Sequence, residues 1–392
     1  MAKFGTLSQE QIKEINRVNV INAIRNNKET TKHEVSRLLK LSIPTVTSNI
    51  NKLIKEGFVY ESGVAESTGG RKPVLLSFNE NARFSIGVNM TPEHVTTILM
   101  NLNGIIIESK SFKYSKVKDF DEAVQHIERN ILNILEERQI PKKKVLGIGL
   151  SLPGLVEEEK LILDNAPNLG VKEYDFHDFQ ERLGIKVYVE NEANIAAYGE
   201  TIQGQHKNMS NVVYVSITEG VGTGIIINNQ IYKSAHKKAG EFGHMRISDE
   251  KIQCNCGRTG CWELYASKRA LFKFFTELTG QSVDQLAVIF SEENLEKSQV
   301  QEAISKYLEY LFIGIENIVL GLNPEYVIIG GELGKYKDEL LQFINEKIQL
   351  KSAYMEYEGT RIIFSDLGDQ GAVIGAALLP QQSIFYHRNN VI

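Results

Sequence analysis

The chain has 392 residues, of which 42% are hydrophobic and 24% charged, and a formal net charge of −5. That length is too great for one ordinary domain, and the composition is that of a soluble globular protein with two or three domains. No apolar run of 18 residues occurs, so nothing spans a membrane. The opening MAKFGTLSQEQIKEINR lacks the apolar stretch of a signal peptide, and a cytoplasmic protein is expected.

The overall negative charge does not suggest nucleic acid, but the charge is unevenly spread. Residues 1–80 carry 12 Lys+Arg against 8 Asp+Glu, a net +4, and the remainder carries 32 against 41, a net −9. A basic head on an acidic body fits a DNA-binding head.

In the head, a first helix is predicted over Gln9–Asn26, with Ile12, Ile15, Val18, Ile21 and Ile24 along one face. Thr31 followed by Glu34 is a capping box that opens a second helix through Leu39. Leu41-Ser42 is the turn. A third helix runs to about Glu56 with Val46, Ile50, Leu53 and Ile54 as its buried stripe, and Gly57 ends it. Two short strands, Phe58–Tyr60 and Val74–Phe78, flank a Gly/Ser-rich tip. The order reads as a helix-turn-helix with a wing.

The outer face of the third helix presents Thr45, Thr47, Ser48, Asn49 and Lys52. Hydroxyls and amides there can reach base edges in the major groove, and Lys52 can meet a phosphate. Gly69-Gly70-Arg71-Lys72-Pro73 closes the wing, and Arg71 is expected in a narrow minor groove.

From residue 84 the pattern changes to a mixed α/β body large enough for two lobes. Predicted strands lie at 84–90, 94–100, 104–108, 145–151, 186–190, 211–217, 223–228 and 325–330. Predicted helices lie at 122–138, 193–201, 265–278, 299–321, 336–347 and 370–379. No tandem repeat or low-complexity segment is visible.

All three cysteines fall between 254 and 261. With His244 they give H-x9-C-x-C-x4-C, and Gly257 and Gly260 turn the loop. Three thiolates and an imidazole complete a tetrahedral zinc shell with no open position, so His244, Cys254, Cys256 and Cys261 are expected to hold a structural zinc. Asn191, Glu192, Glu241, His244 and Glu263 are polar residues at strand ends or beside this loop. Carboxylates and an amide converging on a pocket suit a polyhydroxylated sugar, whose hydroxyls both donate and accept, but the same residues also suit plain surface charge. The glycine turns in Thr218–Gly224 and at Gly330-Gly331 are equally phosphate cradles or tight turns.

These stretches together resemble the ROK family of repressors, open reading frames and sugar kinases, and within it the xylose-repressor branch. The resemblance is carried by SLPGLVE (151–157), VENEANIAAYGE (189–200), YVSITEGVGTGIIINN (214–229), GEFGHM (240–245), CNCGRTGCWELYAS (254–267) and LNPEYVIIGGEL (322–333), with SIPTVTSNINKLIKEGFV and GGRKP in the head. It implies a winged helix-turn-helix over 1–80 and a two-lobed actin/hexokinase-like domain over 81–392, with the zinc loop at about 244–263. It implies zinc on the four residues named above. It also implies sugar contacts from Asn191, Glu192, Glu241, His244 and Glu263, and homodimers or higher homo-oligomers acting on inverted-repeat operator DNA.

Two departures separate a repressor from a kinase. Family kinases open the body with an Asp-x-Gly-Gly-Thr-like turn, where the Asp manages the metal of ATP and the glycines wrap phosphate. Here the matching stretch is Gly87-Val88-Asn89-Met90-Thr91-Pro92, which removes the carboxylate and fills the glycine positions. Glu192 stands where kinases place the catalytic Asp, and its extra methylene displaces the carboxylate by about an ångström. The expectation is a sugar-responsive repressor without enzymatic activity. An active sugar kinase with a regulatory head is the alternative. D-xylose or a close pentose is the expected effector, because the longer Glu192 could reach into the gap left by the missing exocyclic carbon.

Overall fold

The computed structural model describes residues 8–64, 72–114, 119–205, 209–235, 239–347 and 359–386, with the side chains of 345–347 excepted. The head forms as the sequence signals. Ser8 and Thr31 cap the helices Gln9–Arg25 and Lys32–Leu39 with reciprocal capping boxes, and Ser42 caps Ile43–Lys55 ahead of Pro44. Val18, Ile21, Ile24, Val46, Ile50 and Leu53 are buried, but Ile12 is exposed because the first helix projects past its neighbours at that end. The wing strands Val59–Val64 and Val74–Phe78 pair antiparallel. The wing tip, with Arg71, lies outside the described residues.

Each lobe of the body is built on a five-stranded sheet. In the first the order is Val187–Asn191, Val145–Leu152, Phe84–Met90, His94–Asn101, Ile106–Lys113. In the second it is Arg361–Phe364, Tyr326–Gly331, Val212–Ile217, Val221–Ile227, Gln230–Ile231. Both sheets have the same plan, with two parallel pairings followed by two antiparallel ones. The duplication that the sequence hides is therefore one of topology. Each sheet ends in a helix that enters the gap between the lobes: Glu192–Gln203 after the first and Gly371–Leu378 after the second. These two helices pack together and share an apolar cluster containing Ile195, Tyr198, Val373 and Ala377.

The helix expected over 265–278 breaks at Ser267 into Glu263–Ala266 and Lys268–Thr279, because the Ser267 hydroxyl caps the second piece through the Ala270 amide. The strand expected at 104–108 runs Ile106–Lys113. A small antiparallel sheet, Leu155–Glu157, Ile162–Ala166 and Val171–Asp175, is absent from the sequence reading. Its strands are only three to five residues long and carry no apolar alternation.

The helix Gly371–Leu378 lies directly on the first sheet. A Cβ added to Gly149 would stand 2.0 Å from the Ala376 carbonyl oxygen, so neither backbone can give way locally. Gly149→Ala should destabilise the fold by about 1–3 kcal/mol or more, as overpacking does, and denaturant unfolding against the parent measures it.

Candidate functional site

On the third helix of the head, Ser48 and Lys52 are exposed and Thr45 is half-buried. The Thr45 hydroxyl lies 2.8 Å from that of Ser42. Asn49 is half-buried, and its Nδ2 donates to the Thr45 carbonyl at 2.9 Å, so in this state the amide is turned along the helix. Asn51, one residue on, is exposed and was left out of the sequence reading.

In the body, strand Val187–Asn191 delivers Asn191 and Glu192 to the start of a helix. Asn191 is its N-cap: Oδ1 accepts from the amides of Ala193 (3.0 Å) and Asn194 (3.2 Å), while Nδ2 donates to the Gly154 carbonyl at 2.8 Å. Pro153-Gly154 and Asn191 are thus tied together. Glu192 Oε1 accepts from the Ser216 hydroxyl at 2.9 Å. It is accessible only from within the cleft, and this enclosure pushes its carboxyl up to about 7, with the Ser216 bond opposing the shift.

Glu241, His244 and Glu263 form a second group. His244 Nε2 lies 3.7 Å from Glu241 Oε2, and Nδ1 lies 3.6 Å from Glu263 Oε1. Glu263 also faces the turn after Val212–Ile217, where a Cβ on Gly220 would come within 2.8 Å of Oε2. Both groups therefore border the same pair of second-lobe strands, one through Ser216 and the other through Gly220.

His244, Cys254, Cys256 and Cys261 bring one ligand atom each to within 4.8 Å of one another. Cys254 Sγ is 3.6 Å from His244 Nδ1, and the Cys256 and Cys261 sulfurs are 3.6 Å apart. Tetrahedral bonds of about 2.0–2.3 Å place ligand atoms roughly 3.4–3.8 Å apart, so the cluster fits a metal ion. Burial raises the Cys254 and Cys261 thiols, and a bound cation would reverse that. The Cys254 thiol donates to Glu263 Oε1 at 2.7 Å, which joins the metal-ligating set to the putative sugar-contact group at one carboxylate.

Beyond Glu192 the cleft widens into a cavity of about 450 Å³ lined by Asn89, Thr91, Pro92, Glu93, Lys268 and Glu332, among others. Lys268 Nζ meets Glu93 Oε1 of the first lobe at 2.8 Å and Glu219 Oε1 and Glu332 Oε2 of the second at 2.9 and 3.5 Å. Lys268 is buried, and its ammonium bridges the lobes beside the altered turn. A second bridge runs from Lys233 to Glu190 at 2.6 Å and Glu158 at 2.8 Å. Sequence reading missed both. The signal for Lys268 was its place in the first turn of a helix, where a cation is disfavoured by the backbone dipoles and calls for carboxylate partners.

The ROK family model matches residues 85–383, and a winged helix-turn-helix DNA-binding model matches 14–60. The chain belongs to the ROK family. It is 31% identical to a xylose repressor of Bacillus subtilis over 94% of this chain and 95% of that protein. A glucokinase of Halalkalibacterium halodurans is 28% identical over 76% of this chain and 96% of its own length. The crystal structure of a ROK family transcriptional regulator, a homolog of the E. coli MLC protein, superposes with a TM-score of 0.77 at 24% identity, over 96% of this chain and 97% of that one. That likeness supports the arrangement of head and two-lobed body. No helix among the described residues is long and apolar enough to cross a membrane.

The raised Glu192 carboxyl has a pH signature. An unfolded Glu titrates near 4.5 and the folded one near 7, so between those values only the folded state holds the proton, and stability falls as pH rises through that window. Glu192→Gln removes this loss. Its melting temperature should gain on the parent from about pH 5 to pH 7 and run parallel above. A constant difference across that range contradicts the assignment.

Proposed function

We propose that this chain is a sugar-responsive transcriptional repressor and not an enzyme. The observation that carries this reading is the likeness to a xylose repressor from end to end, head and body together. The nucleotide side of the cleft agrees with it. Asn89, Thr91 and Pro92 stand in the phosphate turn, and Glu93, Glu219 and Glu332 surround a lysine where an anion would have to sit.

Two copies of the head read an inverted-repeat operator, with one recognition helix in each major-groove half-site. Thr45, Ser48 and Asn49 face the bases, Lys52 meets phosphate and Arg71 enters the minor groove. Asn49 does so by exchanging its bond to the Thr45 carbonyl for a base edge. The sugar is held by Asn191 and Glu192 on one side and Glu241, His244 and Glu263 on the other. D-xylose is the effector, with Glu192 filling the space that a hexose's exocyclic carbon would need. His244, Cys254, Cys256 and Cys261 hold one structural zinc, which fixes the loop carrying Glu263.

Operator affinity measured with and without xylose, in the parent and in Glu192→Asp, tests the reading. Xylose should weaken operator binding by the parent. Glu192→Asp should shift preference toward glucose by up to about 1–3 kcal/mol, the worth of one methylene of fit. Release by a different sugar alone would overturn the xylose assignment, and release by none would overturn sensing. ATP turnover with any common sugar would restore the kinase alternative. Metal analysis should return one zinc per chain, and stripping it should weaken sugar binding as well.

A further inference from the structure

The body touches the head at two places. The first is the turn after strand His94–Asn101 of the first lobe: the Leu102 amide donates to the Glu80 carbonyl at 3.0 Å, and Asn103 Nδ2 donates to Glu80 Oε2 at 2.6 Å. The second is the C-terminal segment Gln382–Tyr386. Asn22 of the first head helix donates to the Phe385 carbonyl at 2.9 Å, and Phe385 packs edge-on against Phe78 with ring centres 6.1 Å apart. Leu102, Ile384 and Phe385 belong to the same apolar cluster as Val20, Ile24 and Leu76 of the head.

Arg25 is the head residue that touches both mounts. Its Nε donates to Asn103 Oδ1 of the first-lobe turn at 3.3 Å, and its guanidinium lies 4.2 Å from the centre of the Phe385 ring. The second mount leads back to the cleft through packed backbone. Gln382–Phe385 continues the chain from helix Gly371–Leu378 through one turn at Leu379–Gln381. That helix lies against Glu192–Gln203 with no room between them: a Cβ on Gly375 would come within 2.0 Å of the Ile195 carbonyl oxygen, and one on Gly199 within 2.5 Å of that of Gly371. Tyr198, on the helix that Asn191 and Glu192 open, also hydrogen-bonds Gln382 and Tyr386. Backbones in such contact move as one body, because neither has a side chain that can yield.

We propose that Arg25 is the positioning residue that couples the sugar site to the DNA-reading head. A displacement of helix Glu192–Gln203 carries Phe385 with it, while Asn103 stays with the first lobe. Arg25 spans the two, so the first head helix must turn when they part. Leu53 and Ile50 of the recognition helix share a core with that helix, and the turn reaches the DNA-facing surface. The inference rests on the repressor reading.

The experiment uses the full chain. Operator affinity is read by fluorescence anisotropy with and without saturating xylose, and xylose affinity by calorimetry. In the parent, xylose should raise the operator Kd at least tenfold. In Arg25→Met that ratio should fall below twofold, with the xylose Kd and the sugar-free operator Kd within threefold of the parent. A structural role alone would lower operator affinity and leave the ratio. Arg25→Lys, which keeps charge but not the planar face over Phe385, should recover part of the ratio. An undiminished ratio in Arg25→Met overturns the proposal. Should Arg25→Met not fold, Asn103→Ala and Phe385→Leu carry the test, and a full ratio in both overturns it. A parent that binds operator but ignores every sugar overturns the sensing reading instead, and is told apart from failure of the coupling by the parent measurement alone.

Discussion

Backbone-to-backbone packing of the two helices between the lobes is the constraint on which the rest of this structure depends. Glu192–Gln203 and Gly371–Leu378 approach so closely that glycine is required on both, and Gly149 extends the same contact into the first sheet. Because each helix follows the last strand of its own sheet, the contact fixes both lobes by their edges. Asn191 and Glu192 sit at the start of one of these helices and the head mount follows the end of the other. Residues far apart in sequence are thereby placed on one rigid unit.

Around that unit the lobes are held by charge. Lys268 and Lys233 each leave the second lobe to meet carboxylates of the first. Buried ion pairs contribute little net stability, since desolvation offsets most of the attraction, but removing one partner strands the other and is costly. Such pairs favour one mutual placement of the lobes over near alternatives. They also flank Glu192 on two sides, so the carboxyl lies in an enclosed setting where its protonation responds to local polarity.

Much of this was legible in the sequence. Capping residues Thr31 and Ser42, the 3.6-residue stripe of Val46, Ile50 and Leu53, and Gly57 specify the head locally, and local signals are what a sequence carries best. The four metal-ligating residues were legible for the same reason, since a ligand loop is short. The cross-lobe pairs were not, because Glu93 and Lys268 are 175 residues apart and neither spacing nor periodicity links them. The shared plan of the two sheets was hidden because topology repeats without residue similarity. Asn49 shows a subtler limit: helical phase places it on the outer face, yet its short amide can satisfy itself on the backbone four residues earlier.

Lys268 has one more consequence. A kinase of this fold answers to two pools, its sugar and its nucleotide, and its lobe closure carries information about both. With an ammonium covalently tethered between the carboxylates of the two lobes, the second input is wired shut. A sensor built this way reports how much sugar surrounds it, whatever the energy charge of the cell.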